Sequence, residues 1–564
     1  MGRFNLLDEP WIRVLVQETG EMEEVSLRAL FAHAHEYKRL AGEMETQNFA
    51  LLRLLLAVLQ TVFSRFDADG EPYSVLSLDE RYRPVNEPDE DETEIYLDEM
   101  NATWHALWER EKFPPIVEEY LGKWHDRFFL LDDKYPFYQV TKEDVKAEKL
   151  NKSKPTKISG KNINRLISES DNKIAIFSPK YESNANKEKL SFSELARWLV
   201  MFQGYMGLYD KVTFGREKYK PSKGWLFNLG GIYLQGETLW ESLLLNLFLL
   251  HPEMQYQGAI QRPCWEETPK ERLKKLLSSD NDPHDLASLY TNWCRAIFLD
   301  PQIKEKDPIA IGVVKLPKIK NENAFLEPMT LWRWNKEQKK KIVFTPKKHR
   351  ENQALWRSFG LLTLPDEVSD LTGGTLPNHT PGVLKQYSFT HPHLRETNIS
   401  IVAISMQDNG NAASWLPTDE IVDELRINNV VLADIKEKGW IPRINEAVLD
   451  TRRMVERAYF GFLSQILKIR NDSSSAWRSK YIEQVYQHID APFREWLRAI
   501  HPDDSKDEHI SHWKEQAQQL ILEEAKSVIK TATIRDYRGI EEDGKIINIA
   551  TAYRDLRYRL KQYL

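Results

Sequence analysis

Apolar and polar positions along the first sixty residues follow two different periods. "FNLL" and "WIRVLV" alternate around the acidic turn "DEP", which predicts two short strands. "SLRALFAHA" and "QNFALLRLLLAVLQTVF" repeat at helical spacing instead and predict two helices. A further helical block covers residues 94–123. From 146 to 189 the periodicity fades into Lys, Asn and Ser, with eleven Lys or Arg against five Asp or Glu. That composition predicts a long loop, largely disordered in the free protein. "SFSELARWLVMFQGYMG" restores a helix, with Ser191 and Glu194 spaced as a capping box.

The middle third is mixed. "AIGVVKLPKIKNENAFLEPMTLWRW" and "KKKIVFTPKKHR" read as strands with a basic hairpin, and "NISIVAIS" alternates like a half-buried strand. "PTDEIVDEL" reads as the opening of a helix, and between these two lies the amide-rich turn "MQDNGNAASWL". After Ile427 the pattern becomes long helices. Val455, Tyr459, Phe462, Ile466 and Ile469 are spaced 4, 3, 4, 3, and Ile549, Tyr553, Leu556 and Leu560 are spaced 4, 3, 4. Two more helical segments lie between them, and four such stripes pack naturally as a bundle. The fold class expected is α+β: a large mixed α/β domain over 1–429, then a four-helix bundle over 430–564. No internal repeat is evident.

Composition narrows the function classes. At 564 residues the chain exceeds a single core, and 41% hydrophobic with 29% charged residues is ordinary for a globular protein. The start lacks the basic and apolar regions of a signal peptide. The most apolar run, Phe49 to Phe63, carries Arg53 and reads as a buried helix, so no membrane partner is expected. Cys264 and Cys294 are too few for a zinc site and fit a reducing cytoplasm. No phosphate loop, dinucleotide fingerprint, nucleophile elbow or zinc-protease helix occurs.

Two His-Asp pairs, His125-Asp126 and His284-Asp285, admit an alternative, a metal-dependent HD-type phosphohydrolase or nuclease. His391 and His393 are separated by a Pro that breaks helical presentation. Among fourteen His such pairs arise by chance, and solvated or helix-terminal His is the plainer reading. The net charge of −7 argues against a uniformly basic nucleic-acid binder. Local basic stretches nevertheless stand at 146–189, at "KVTFGREKYKPSK" (211–223) and at "KKKIVFTPKKHR" (339–350), each beside aromatic or amide residues. Mobile cations suit phosphates, and amides with planar groups suit bases and grooves.

The opening "FNLLDEPWIRVL" resembles the CasA family, the large subunit of the type I-E CRISPR Cascade complex. The likeness continues in "YPFYQ" (135–139), similar to the family's Pro-Phe segment before its first mobile loop, and in the helical C-terminal third. The resemblance implies a non-enzymatic subunit, without metal or cofactor. Its partners would be a guide RNA (crRNA), double-stranded target DNA, the other Cascade subunits and a separate helicase-nuclease. Its work would be to read the PAM beside the target, help to open the duplex for the R-loop and present the target.

Carried over by position, the loop meeting the guide-RNA handle and the PAM end falls on Lys157, Lys161, Asn162, Phe177 and Ser178. The family's glycine loop falls on 210–215, where Gly215 is the one glycine, and Lys211 and Arg216 would contact phosphate. The minor-groove lysine falls on Lys318, with Lys315 and Lys320 as rivals. The turn at 404–416 resembles the family's wedge hairpin, whose Gln aligns with Ala412, leaving Gln407, Asn409 and Asn411 as the amides available. In the bundle, Arg452, Arg453, Arg457, Arg554, Arg557 and Arg559 flank the apolar stripes and are expected to face outward, with some of them holding strands of the opened target.

Overall fold

The computed structural model describes residues 2–159, 189–208, 210–215, 219–305, 307–336, 342–366, 377–390, 397–411, 415 and 417–564. The chain divides into two units. The first is Met1–His349 with Glu367–His393 and Val402–Val422; the second is Arg350–Asp366 with Leu394–Ile401 and Asp423–Leu564.

The first unit is built around helix Glu45–Phe63, in which every residue from Thr46 to Phe63 is buried. Length and composition would let this helix cross a membrane, but its whole apolar window lies in the protein interior. Arg53, the one charge in that run, is satisfied there. Its guanidinium forks onto both oxygens of Glu327 at 2.7 Å and lies 4.2 Å from the Tyr290 ring centre. Met44 at the helix start offers no side-chain cap. Glu420 supplies one from far along the chain, accepting the Thr46 N–H at 3.0 Å and its hydroxyl at 2.8 Å.

Helix Phe192–Tyr205 packs on this core, and its Ser191 cap accepts the Glu194 N–H as the sequence spacing predicts. The block expected at 94–123 is two helices, Glu90–Arg110 and Ile116–Lys123; the first ends at Glu111, in the left-handed region at φ +58°, and Pro115 stands at the start of the second.

Around the helices lie short antiparallel sheets. Arg3–Asn5 pairs with Phe129–Leu131. Ile12–Val16 is flanked by Met22–Val25 and Tyr37–Leu40, two strands that the local pattern does not announce. Ala310–Lys315 lies between Thr156–Ser159 and Arg295–Leu299. Of the stretch 146–189, expected to be a largely disordered loop, Thr156–Ser159 is a strand paired with Ala310–Lys315, and Leu150 and Lys189 form isolated bridges to Phe214 and Pro308; residues 160–188 lie outside the described residues. Trp332–Lys336 and Ile342–Pro346 form the basic hairpin foreseen in the sequence.

A third three-stranded sheet has the order Pro417–Asn428, Asn398–Asp408, Gly231–Gln235. Here "PTDEIVDEL" is a strand and not a helix opening. Its acidic residues imitate a helix first turn, but the sheet partner holds the backbone extended, and Glu420 caps a different helix.

The second unit carries the helical region expected at the C-terminus. Trp440–Arg453 runs through a π-helical stretch, Met454–Tyr459, into Phe460–Arg470. Ser475–Arg498, Lys506–Lys530 and Ile549–Leu560 complete the long helices. Val455, Tyr459, Phe462, Ile466 and Ile469 are all buried, as their spacing dictates, and Ile549, Leu556 and Leu560 close the same core.

Candidate nucleic-acid interface

The first unit contains an open cleft of about 620 Å³ that draws together chain segments remote in sequence. Lys220, Lys223, Trp225 and Asn228 come from one segment, Lys318 and Asn321 from a second, Arg333 and Lys348 from the basic hairpin and its exit, and Asp408 and Trp415 from the amide-rich turn. Among the described residues, five cations therefore face one carboxylate, with amides and indoles between them.

Backbone pairing explains the convergence. Ser222 N–H donates to the Leu316 carbonyl and Lys318 N–H to the Lys220 carbonyl, each at 2.8 Å, so Lys220, Lys223 and Lys318 share one wall. Buried Arg295 fixes that wall from behind. It clasps Asp210 with two contacts of 2.9 Å and donates to the carbonyls of Gly207 and Ser222 at 2.6 Å. The indole N–H of Trp225 donates to Glu327 at 2.5 Å, which ties the cleft to the buried Arg53–Glu327 pair. On the facing side His349 N–H donates to the Ser405 hydroxyl at 3.0 Å, which places Lys348 beside the strand leading into the turn.

Electrostatics in the cleft are frustrated. Lys348 pairs with Asp408 at 2.8 Å. Lys223 has no ion pair among the described residues; its ammonium sits 4.1 Å from the Trp415 ring centre and 5.0 Å from that of Phe227. Burial, then repulsion from Lys348 and Lys318, pushes Lys223 down to about 8 against the partial support of Asp408. Burial lowers Lys348 as well, opposed by Asp408. Burial alone would raise Asp408, but its bonds to Lys348 and to the Gly410 N–H hold it below the usual carboxylate range. A site with desolvated ammonium groups short of counter-charge is suited to a phosphate oxyanion.

Of the three candidate lysines, Lys318 lines this cleft, exposed and 2.9 Å from the Asn321 amide oxygen. Lys315 donates instead to the Leu208 carbonyl at 3.1 Å and approaches Asp210 at 3.9 Å; Lys320 is exposed but does not line the cleft. Gly215 has φ +63°, the left-handed region that favours glycine, and its N–H donates to Lys149; Lys211 beside it is exposed, and neither lines the cleft.

The turn itself carries Asn409 and Asn411 exposed and Gln407 half-buried, around Gly410 at φ +66°. Lys157 is exposed on strand Thr156–Ser159. Arg216, Lys161, Asn162, Phe177, Ser178 and Ala412 lie outside the described residues, as do His391 and His393.

In the second unit Arg453, Arg457, Arg554, Arg557 and Arg559 are exposed and Arg452 is half-buried. Arg452 pairs with Glu456 at 3.2 Å and Arg453 with Asp450 at 2.9 Å.

The His-Asp pairs have separate local roles. His125 contacts Asp8 at 2.7 Å and Asp126 contacts Arg81 at 3.1 Å. His284 is exposed beside Asp280, and Asp285 caps helix Leu286–Tyr290. Among the described residues no cluster of three or more possible ligand side chains includes any of the four. Both cysteines are free and buried, with Cys264 pushed up to about 12 and Cys294 to about 11 by burial.

Sequence reasoning marked the basic stretches but not which of their lysines matter. Lys220 and Lys223 lie in one such stretch and Lys348 in another. Each is singled out by tertiary placement beside the turn, and Trp415 carried no signal of its own.

Comparison with known proteins gives a consistent picture. The family model described as CRISPR-associated protein Cse1 matches residues 5–523. A curated relative, CRISPR-associated protein CasA/Cse1 of Thermus thermophilus, is 29% identical over 276 residues. That alignment covers 48% of this chain, and the chain spans 43% of the relative's length. The crystal structure of Thermobifida fusca Cse1 superposes with a TM-score of 0.76 at 24% identity, covering 99% of this chain and 98% of that one. A chain of a "CRISPR RNA-guided surveillance complex" has a TM-score of 0.69 at 15% identity, with 99% of each chain covered. At these identities the structural likeness concerns the fold.

Proposed function

The chain belongs to the CRISPR-associated Cse1 family, and from that membership we propose that it is the large subunit of an RNA-guided CRISPR surveillance complex, a binding protein and not an enzyme. One observation carries the finer reading: Lys318 shares a cationic cleft with both ends of the amide-rich turn. In this reading duplex DNA lies over the cleft, Lys220, Lys223 and Lys348 meet phosphates, and Lys318 enters the minor groove beside the PAM. That groove presents mainly acceptors and the guanine amino donor, so a lysine and a few amides read it permissively. The exposed amides of the turn then replace hydrogen bonds lost as the first base pair opens, and the guide RNA takes over recognition from there. The bundle arginines hold strands of the opened target, which is passed to a separate helicase-nuclease.

The test uses the intact complex, purified with its guide RNA, and a target carrying a fluorescent base next to the PAM. Lys318→Ala is expected to weaken PAM-dependent binding by roughly 5- to 150-fold, the range of a groove contact worth about 1–3 kcal/mol. Replacing Gln407, Asn409 and Asn411 together by Ala is expected to spare binding and impair opening, with rescue by a target already unpaired at that position. Normal opening by the triple variant, or no rescue, would leave the segment as a turn and nothing more. Unchanged PAM-dependent binding by Lys318→Ala would remove the groove assignment.

A further inference from the structure

One lysine of the cleft differs in kind from its neighbours. Lys220 and Lys318 stand exposed on the wall and, among the described residues, neither has an ion pair; the Lys318 ammonium reaches the Asn321 amide oxygen. Lys223 shares that wall but is half-buried, its ammonium 5.0 Å from the Phe227 ring centre and 4.1 Å from that of Trp415. An amine sheltered by apolar rings, beside other cations and opening on a cleft of about 620 Å³, is the setting of a lysine nucleophile. Resting on the reading of this cleft as a phosphate site, we propose that Lys223 is a modification site: its amine takes the acyl group of a small acyl phosphate held by Lys220 and Lys318, and the amide so formed weakens duplex binding.

The groups around Lys223 set its charge. Burial acts most strongly, Lys348 and Lys318 add repulsion, Asp408 opposes them, and the ammonium is pushed down to about 8. At pH 7.5 about one-quarter of such amines are unprotonated, against about one in a thousand for an ordinary lysine. Lys348 keeps its 2.8 Å bond to Asp408 throughout and contributes only its field.

Lys220 and Lys318 serve the acyl phosphate twice. They bind its dianionic end, and they stabilise the phosphate as it departs. The Lys223 nitrogen attacks the carbonyl carbon. The N–C bond forms, the C–O bond to the phosphate breaks, and the phosphate leaves with that electron pair and takes the proton from the nitrogen. The products are an amide and inorganic phosphate. The amide offers a phosphodiester no charge and puts an acyl group into its path.

The experiment treats the full-length protein with acetyl phosphate, or with the neutral N-acetoxysuccinimide, and follows each lysine by peptide mass spectrometry. With acetyl phosphate, Lys223 is expected to react about tenfold or more faster than the average of the other lysines. Its rate should rise through about pH 8 and level off by about pH 9, as an amine of that value must. Lys220→Ala and Lys318→Ala should each slow the acetyl phosphate reaction several-fold relative to the neutral reagent, and inorganic phosphate should compete with the first reagent only. If Lys223 reacts no faster than other lysines with either reagent, the nucleophile is overturned. A preference equal for both reagents and untouched by the two variants overturns the acyl phosphate assignment.

Duplex binding is read on the same samples by fluorescence anisotropy. Acetylated wild type is expected to bind about tenfold more weakly, the loss of one charge-assisted contact, and Lys223→Gln should match it. Lys223→Arg, which cannot be acylated in this way and keeps its charge, should be insensitive to acetyl phosphate. An equal loss in Lys223→Arg, or none in the fully modified wild type, overturns the effect on binding. Duplex binding with an unreactive Lys223 refutes this inference and keeps the cleft assignment; selective acetylation without duplex binding by the untreated protein does the reverse.

Discussion

Lys223 shows how a single desolvated ammonium makes binding depend on pH. Its folded value, pushed down to about 8, lies below the ordinary lysine value, so the folded protein releases this proton before the unfolded chain does. Protonated Lys223 is therefore a cost to folding below about pH 8, and its contribution to stability improves as pH rises from there toward about 10.4. Anion binding runs the other way, because the charge it needs is being lost. Duplex affinity is expected to fall between about pH 7.5 and 9 in the wild type and to stay nearly level in Lys223→Arg, measured by anisotropy at fixed salt. At Glu327 the expectation concerns stability. Glu327→Gln leaves Arg53 buried against a neutral partner, and a loss of up to about 3–5 kcal/mol is expected in denaturant unfolding. Arg53 was visible in the sequence as the odd charge in an apolar run. Glu327 was not, since nothing local distinguishes a carboxylate whose partner is 274 residues away.

At the level of elements, legibility followed the range of the forces. Helices such as Phe460–Arg470 and Ile549–Leu560 were readable because their apolar stripes are local and their spacing is the cause of the packing. Met22–Val25, "MEEV", was not, because three of its four residues are exposed and its state is imposed by backbone pairing with Ile12–Val16. Pro417–Asn428 failed for the same reason, with the added confusion of an acidic run that serves as a cap for another helix. That cap can be tested. Glu420→Ala leaves the first N–H groups of Glu45–Phe63 without their acceptor, and a loss of about 1 kcal/mol is expected in thermal or denaturant unfolding. Glu420→Gln, which keeps an acceptor oxygen but no charge, should lose less.

For the molecule as a whole, net charge misleads. A chain of net charge −7 concentrates four lysines and an arginine around one cleft. The overall balance limits indiscriminate adhesion to polyanions, while the local field favours one place for them. Binding should accordingly weaken with salt, with log affinity against log salt falling by about 0.9 for each phosphate neutralised. Lys348→Ala and Lys220→Ala should each make that slope about one unit shallower if they meet phosphate. Charge reversal at Arg554 and Arg557 is expected to weaken the full R-loop more than the initial PAM-bound state, as seen in gel-shift titrations of both targets. Equal losses would argue against strand holding. At this scale the sequence was informative through its opening motif and the order of its segments, which single positions do not carry.

The Arg53–Glu327 pair also sets a timetable for the chain during its synthesis. Helix Glu45–Phe63 leaves the ribosome long before Glu327 is made, and at ordinary elongation rates the delay across 274 residues is on the order of tens of seconds. Through that interval the guanidinium has no carboxylate to receive it, and burying it alone would be prohibitive. The most apolar helix of the protein must therefore wait, incompletely docked, for a residue in the second half of the chain. Nascent chains halted before residue 327 should be cut readily by protease within Glu45–Phe63, and those halted well beyond it should resist. A host that slows translation between these points would lengthen the exposure and the demand on its chaperones.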